Sequence, residues 1–203
     1  GGYAIMLAAV VGALLLPVLD NDGILGTLGR YQSQLISLAI AALVILVAGA
    51  LDDIYDLRPR YKLLAQIVAA SIAYHGGITI MAVSNPFGDG IIQLGIFAYP
   101  ATMLWFLSCI NAINLIDGLD GLAGGVSLFA CLTMAFVSFT TGQMIGMYLS
   151  ACMAGAILGF LFYNFHPASV FLGDAGSMTL GFVIAALSLI GSTKAGTAVA
   201  LIV

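Results

Sequence analysis

The sequence contains no glutamate and few charged residues of any kind. Five lysines and arginines and nine acidic residues occur in 203 positions, and all nine acids are aspartate. With 7% charged and 62% hydrophobic residues, the chain has too few charges for the surface of a water-soluble domain. A net charge of -4 is also opposite in sign to the basic surfaces that bind nucleic acid. The composition therefore indicates an integral membrane protein.

Cysteine patterns that would suggest a metal or redox site are missing too. Cys109, Cys131 and Cys152 lie inside apolar runs without CxxC spacing, and we interpret them as small core residues. No repeat, low-complexity segment or soluble domain is visible. The chain begins at Gly1-Gly2 without Met or a charged leader. We therefore expect one transmembrane domain over 1–203, truncated at both ends.

Long apolar runs fill most of the chain. A helix needs about 17–25 such residues to cross roughly 30 Å of hydrocarbon. Between the runs, the stretch 76–96 is rich in Gly, Asn and Pro and predicts a loop with a small hairpin. The fold class predicted is all-α, a polytopic transmembrane helical bundle of about seven spans plus the start of an eighth at Ala195. The seven runs are Tyr3–Leu19, Leu35–Leu51, Leu63–Val83, Phe97–Ile110, Leu122–Phe139, Met144–Phe162 and Ser177–Ile190.

The aspartates are concentrated in three short segments that follow the second, fourth and sixth runs. Because successive spans alternate direction, these segments are predicted to lie on the same side of the membrane. A carboxylate at the bilayer centre costs about 2.5–3.5 kcal/mol, so the acids are expected to meet in one polar site. Three basic residues on this side against two on the other favour a cytoplasmic site. The six aspartates concerned are Asp52, Asp53, Asp56, Asp117, Asp120 and Asp174.

The first segment, LDDIYDLRPRYK, has adjacent carboxylates at a predicted helix end. Such a pair suits a divalent cation or a base held near a phosphate. Asp52 and Asp56 share a helix face, whereas Asp53 points elsewhere. On the next helix, Lys62 and Gln66 are four apart and would offer a cation and an amide to one ligand. The alternative is a solvated loop whose basic residues bind lipid headgroups.

The second segment, NAINLIDGLDG, repeats a polar residue every third position. On a helix, Asn111, Asn114 and Asp117 would form one polar stripe. Gly118 loosens the backbone after them, which places Asp120 on a turn. These polar groups are costly to place at the end of a span without a ligand, although they could also serve as caps and turn residues.

The third segment, NFHPASVFLGDAGS, puts Asp174 between glycines just before a span. Small neighbours allow close approach of a metal or a phosphate, and a helix N-terminus favours anions. An Asp N-cap is the alternative. We interpret His166, beside Pro167, as a hydrogen-bonding loop residue.

Three longer strings, NAINLIDGLDGLAGG, LDDIYDLRPRYKLLAQ and NFHPASVFLGDAGSMTLGF, resemble the cytoplasmic motifs of the polyprenyl-phosphate N-acetylhexosamine-1-phosphate transferases of glycosyltransferase family 4. The resemblance runs in order over the whole chain, and GDAGSMTLGF favours the N-acetylglucosaminyl branch over the muramoyl-pentapeptide branch. It implies transfer of a sugar 1-phosphate from a UDP-amino sugar to undecaprenyl phosphate, with loss of UMP, for cell-wall or surface polysaccharide synthesis. It also implies a multi-pass protein of the bacterial inner membrane with its site facing the cytoplasm, and it is compatible with a homodimer.

The resemblance assigns roles by motif position. A magnesium ion, with manganese as the alternative, would be held by Asp174 with Asn114 nearby. The catalytic residues would be Asp52, acting on the lipid phosphate, its neighbour Asp53, and Asp174. The implied substrate contacts are Lys62, Asn111, Asp117 and Asp120, of which Asp120 would meet the uracil. The family's first span and its histidine-rich segment are not found here, so we expect the fragment to be inactive.

Two other classes also gather carboxylates at a membrane. The motif of the CDP-alcohol phosphatidyltransferases has Ala-Arg soon after its first Asp-Gly. Here Asp117-Gly118 is followed by Leu119-Asp120-Gly121-Leu122, without an arginine. An ion-coupled transporter would place its carboxylates near the middle of the membrane on broken helices. In this sequence they fall at the ends of the spans.

Overall fold

The computed structural model describes residues 1–19, 29–85 and 90–190. Within these residues, seven helices of 17 or more residues follow the seven predicted runs in order, which confirms the all-α class. The predicted eighth run, from Ala195, lies outside the described residues. The helices are α1 (Gly2–Leu19), α2 (Gln32–Tyr55), α3 (Pro59–His75), α4 (Ala98–Ile116), α5 (Leu122–Thr140), α6 (Met144–Asn164) and α7 (Gly173–Ile190).

Within the described part of the chain, five helical segments are long and apolar enough to cross a membrane. The outer faces of the bundle expose large apolar side chains, among them Leu14, Leu43 and Phe129. A continuous apolar surface of this kind matches a lipid environment rather than water. The five segments are Gln32–Tyr55, Gly95–Ile116, Leu122–Thr140, Met144–Asn164 and Gly173–Ile190.

The loop predicted between the third and fourth runs is present and contains a small antiparallel hairpin. Strands β1 (Ala82–Ser84) and β2 (Ile91–Gln93) pair with Val83 opposite Ile92. The third run was predicted to reach Val83, which was wrong, because α3 ends at His75. Two glycines follow that end, and the second has a φ of 95°, a conformation that ends a helix readily.

Helix α4 is longer than its apolar run, which stops at Ile110. It continues to Ile116 and so carries Asn111 and Asn114 on its last turns. Both amides find hydrogen-bond partners on neighbouring helices, which offsets the cost of placing polar side chains at the end of an apolar span.

Helix α7 lies at the centre of the bundle, and 15 of its 18 residues are buried. Its first turn packs closely between α1 and α2. A Cβ at Gly49 of α2 would overlap the backbone of Ala175, and a Cβ at Gly2 of α1 would overlap that of Gly176. Small residues thus let three backbones come together, as is usual for helix packing in membranes.

Candidate active site

The three aspartate segments meet at one end of the bundle, as predicted. The C-terminal ends of α2 and α4 and the N-terminal end of α7 surround a cavity of about 360 Å³. It is lined by Asp53, Asn114, Asp117, Gly118, Leu119, Asp120, Asn164, Phe171, Leu172, Gly173 and Asp174. Four carboxylates that are up to 121 residues apart in the sequence therefore share one polar space.

Asp174 belongs to the first turn of α7, where the chain enters through Gly173 with a φ of 73°. Asn114 donates a hydrogen bond from its Nδ2 to Oδ1 of Asp174 and lies 2.8 Å from the Ser177 hydroxyl oxygen. The other oxygen, Oδ2, is 3.5 Å from the ammonium nitrogen of Lys62. The Asp174 side chain is still 36% exposed, so it can meet a ligand in the cavity.

Asp52 is buried at the end of α2 and does not line the cavity. Its Oδ2 forms an ion pair with Lys62, and its Oδ1 accepts a hydrogen bond of 2.8 Å from the Leu57 amide. The hydrogen bond from Leu57 stabilises the turn between α2 and α3, and α3 begins at Pro59. Lys62 thereby joins Asp52 and Asp174.

Asp53 points away from Asp52, as predicted, and faces α7. Its Oδ1 accepts a hydrogen bond of 2.7 Å from the Asp174 amide, and its Oδ2 accepts one of 3.2 Å from the Ala175 amide. These N–H groups stand at a helix N-terminus, where they have no partner within the helix. A carboxylate is also favoured there by the helix dipole.

Asp117 ends α4 and is half-buried at the cavity wall. Burial first, and then the nearby negative charges of Asp174 and Asp53, raise its pKa to about 6. Among the described residues, none donates a hydrogen bond to its carboxylate. The cavity therefore holds an excess of negative charge that a bound cation would neutralise.

Asp120 lies on a turn, as predicted, and holds the segment after α6. It accepts a hydrogen bond of 3.1 Å from the Ala168 amide, and its Oδ2 lies 3.0 Å from Nδ1 of His166. The bond from Ala168 and then the one with His166 keep the pKa of Asp120 below its usual value. The interpretation of His166 as a hydrogen-bonding loop residue is confirmed.

Asn164 was not predicted as a site residue, yet it lines the cavity. It is buried at the end of α6, accepts a hydrogen bond of 3.0 Å from the Gly121 amide and donates one of 2.9 Å to the Val170 carbonyl. Its only signal in the sequence is a lone amide at the end of an apolar run.

That Lys62 and Gln66 serve one ligand stays a prediction. In the structure Gln66 pairs with Asn111, through amide hydrogen bonds of 2.8 and 3.3 Å, and Lys62 contacts the carboxylates of Asp52 and Asp174. Asn111 lies outside the lining of the cavity, so its contact with substrate stays a prediction.

The residues present fit a hydrated magnesium ion whose coordination shell is completed by substrate phosphates. Among the described side chains, no three of His, Cys, Asp and Glu converge closely enough to hold a metal by themselves. Mg²⁺ usually keeps several waters and takes one or two carboxylates plus substrate phosphates. The exposed part of the Asp174 carboxylate provides an oxygen ligand of that type, and Asn114 lies beside it.

Comparison with known proteins finds relatives, one of which matches the whole length of the chain. The chain is 38% identical over 203 residues, its whole length and 54% of the relative, to a probable undecaprenyl-phosphate N-acetylglucosaminyl 1-phosphate transferase of Bacillus subtilis (strain 168). It is 36% identical over 211 residues, 97% of the chain and 50% of the relative, to a decaprenyl-phosphate N-acetylglucosaminephosphotransferase of Mycobacterium leprae (strain TN). A phospho-N-acetylmuramoyl-pentapeptide-transferase of Clostridium botulinum (strain Eklund 17B / Type B) is 38% identical over 155 residues, 71% of the chain and 48% of the relative.

The chain thus spans about half the length of the curated relatives it matches. The family description "Glycosyl transferase family 4" matches residues 35–192, which include all three aspartate segments and every residue of the cavity lining. The chain belongs to glycosyl transferase family 4.

Proposed function

We propose that the full-length protein transfers N-acetylglucosamine 1-phosphate from UDP-N-acetylglucosamine to undecaprenyl phosphate and releases UMP. The product would serve cell-wall or surface polysaccharide synthesis. The observation that carries the proposal is the meeting of the three aspartate segments around one cavity at the end of an apolar bundle. The names of the B. subtilis and M. leprae relatives support the amino sugar and the polyprenyl phosphate.

In the proposed reaction, an oxygen of the lipid phosphate attacks the β-phosphorus of the UDP-sugar. A new P–O–P linkage to the lipid forms, and the bond from that phosphorus to the oxygen of UMP breaks. One phosphoanhydride replaces another, so the reaction should be close to thermoneutral and reversible. Catalysis of such a transfer depends mainly on positioning and on stabilising the charge that develops.

Asp174 and Asn114 are proposed to hold Mg²⁺, with Mn²⁺ as the alternative ion. The metal, when bound, would neutralise charge on the diphosphate. Asn114 donates to Asp174 and so orients its carboxylate. Lys62, beside the same carboxylate and 25% exposed, adds a positive charge that can face phosphate.

The other acids are assigned by position. Asp117 and Asp120, on the loop after α4, are proposed to form the nucleotide side of the cavity together with the segment that Asp120 holds. Asp52 is 4% exposed and ion-paired, which supports an action on the lipid phosphate through Lys62 rather than by direct contact.

The proposed setting is the bacterial inner membrane, with the cavity on the cytoplasmic face. Three basic residues, Arg58, Arg60 and Lys62, stand on the cavity side of the sequence, against Arg30 and Lys194 on the other. An excess of basic residues marks cytoplasmic loops. The homodimer stays a prediction.

An exchange experiment tests the function. Purified full-length protein in detergent receives Mg²⁺, undecaprenyl phosphate and UDP-N-acetylglucosamine, and then labelled UMP. Because the reaction is reversible, label should appear in UDP-N-acetylglucosamine, should stop with chelator and should return with added Mg²⁺. The Asp174→Asn variant, prepared in parallel, is the matched control and should not exchange label.

The same preparation separates the alternatives. UDP-N-acetylmuramoyl-pentapeptide in place of UDP-N-acetylglucosamine distinguishes the two branches, and exchange only with the pentapeptide would refute the proposed sugar. Transport has no meaning without a membrane compartment, so a transporter would show no exchange in detergent. Well-folded protein that moves a solute across liposomes but never exchanges UMP would refute the transferase.

A further inference from the structure

Two residues of α2, Gly49 and Asp53, contact the first turn of α7. They are four positions apart and therefore lie on one face of α2. At Gly49 the α7 backbone occupies the space that a side chain would need: a Cβ there would lie 2.7 Å from the Ala175 nitrogen and 2.8 Å from the Asp174 carbonyl oxygen. One turn later, the Asp53 carboxylate accepts hydrogen bonds from the amides of Asp174 and Ala175.

Both carboxylate oxygens of Asp53 accept hydrogen bonds from the main chain of the neighbouring helix, α7. The N–H groups that they receive are the ones that a helix cannot satisfy by itself. A side-chain oxygen at this position replaces the missing partners, and its negative charge is favourable at the positive end of the helix dipole. Asp53 therefore fixes the backbone of Asp174, whose carboxylate faces the cavity.

Gly173 is adapted to the same contact. Its φ of 73° is a conformation that side chains other than glycine adopt only under strain. A Cβ at this position would also lie 3.1 and 3.2 Å from the two carboxylate oxygens of Asp53. The glycine thus provides both the turn into α7 and the room that Asp53 needs to reach the helix end.

We propose that Asp53 is a positioning residue, which acts by capping α7 and so setting the place of Asp174, and that it does not exchange protons with substrate or bind the metal. The activity readout of this inference rests on the proposed function, whereas its structural readout does not.

Two substitutions separate capping from chemistry. Asp53→Asn keeps one of the two acceptor oxygens for the helix end, while it removes the charge and puts an NH2 group in place of the other oxygen. Asp53→Ala removes both acceptors. Asp56→Asn is the matched control: it removes the same charge three residues later, from an exposed position with a φ of 50° that Asn tolerates.

In UMP-exchange and sugar-phosphate-transfer assays of the full-length protein, Asp53→Asn should lower kcat by about tenfold or less, because one of the two hydrogen bonds to the helix end, worth about 0.5–1.5 kcal/mol, is kept. Asp53→Ala should lower kcat about a hundredfold, the scale of effect of a small misplacement of a catalytic group. KM for UDP-N-acetylglucosamine should change little, and the Mg²⁺ concentration for half-maximal rate should rise only in Asp53→Ala. Asp56→Asn should match the wild type.

Hydrogen exchange of the peptide that contains Asp174 and Ala175 gives the structural readout and needs no activity. Exchange of these amides should be fastest in Asp53→Ala and intermediate in Asp53→Asn, which keeps one acceptor oxygen. If the wild-type protein transfers no sugar phosphate, the proposed function fails, and hydrogen exchange still shows whether Asp53 caps α7. Unchanged exchange in Asp53→Ala, or an Asp53→Asn variant that shows the intermediate protection but is as inactive as Asp53→Ala, would overturn the inference.

Discussion

The ammonium nitrogen of Lys62 lies 3.5 Å from Oδ2 of Asp174, although 112 residues separate the two in the chain. The same nitrogen pairs with the buried carboxylate of Asp52. One cation therefore connects the end of α2 with the start of α7. The position of the carboxylate assigned to the metal thus depends on the first aspartate segment as well as on its own.

Asp174 should be the least replaceable residue of the cavity. In Asp174→Asn a neutral amide cannot offset the charge of a divalent cation on a diphosphate, so kcat should fall at least about a thousandfold. Transfer assays measure the rate, and the thermal midpoint in detergent should stay near that of the wild type. A normally folded variant with near-native turnover would contradict the metal assignment.

Lys62 should matter for stability as well as for activity. Lys62→Met leaves the buried carboxylate of Asp52 without its cation, which costs about 1–3 kcal/mol for an unsatisfied buried group. The thermal midpoint should therefore fall. Adding Asp52→Asn to the same protein should restore part of the stability but none of the activity. A double variant less stable than Lys62→Met would show that the pair is not the cause.

Gly49→Ala tests the close packing of α2 against the first turn of α7. The added methyl would overlap the backbone of Ala175, and overpacking of this kind costs about 1–3 kcal/mol. Both thermal midpoint and turnover should fall, because the first turn of α7 carries Asp174. Gly159→Ala on α6 is the control, since a Cβ there meets no atom within 4 Å. Equal effects of the two substitutions would contradict the close packing.

Asp117 should give the folded protein a distinct pH dependence. Because burial, and then the negative charges of Asp174 and Asp53, raise its pKa from the ordinary 3.8 to about 6, the folded state binds the proton more tightly than the unfolded chain. This contribution to stability is present below 3.8 and is lost as the pH rises through about 6. Asp117→Asn should therefore raise the thermal midpoint above pH 7, with a smaller difference near pH 4. Parallel pH curves for wild type and variant would refute this.

Asp120 should affect nucleotide binding before it affects chemistry. Asp120→Ala releases the 166–168 segment, so KM for the UDP-sugar should rise several-fold more than kcat falls. Asp120→Asn can still accept the hydrogen bond from the Ala168 amide and should be the milder variant. Steady-state kinetics over a range of UDP-sugar concentrations measures both parameters. A fall in kcat alone would place Asp120 on the reacting phosphates instead.

Much of the architecture follows from local chemistry. Apolar runs predict the helices because backbone polar groups in lipid must be satisfied within the helix itself. Alternation of spans predicts that the aspartate segments share one side. Helix ends were predicted less well where polar residues continue a helix, as at Asn111 and Asn114, because only partners on other helices make that continuation favourable.

The sequence by itself determined four carboxylates and one amide of the cavity lining (though not Asn164), the end of the bundle at which they gather, and the family that they resemble. The tertiary structure decided which neighbours each of these residues contacts. Asp52 and Asp53 are neighbours, yet one is buried against Lys62 and the other caps α7. The physical reason is that successive residues of a helix point about 100° apart, so neighbours meet different elements. What lies in each direction is set by packing between helices that are distant in the chain.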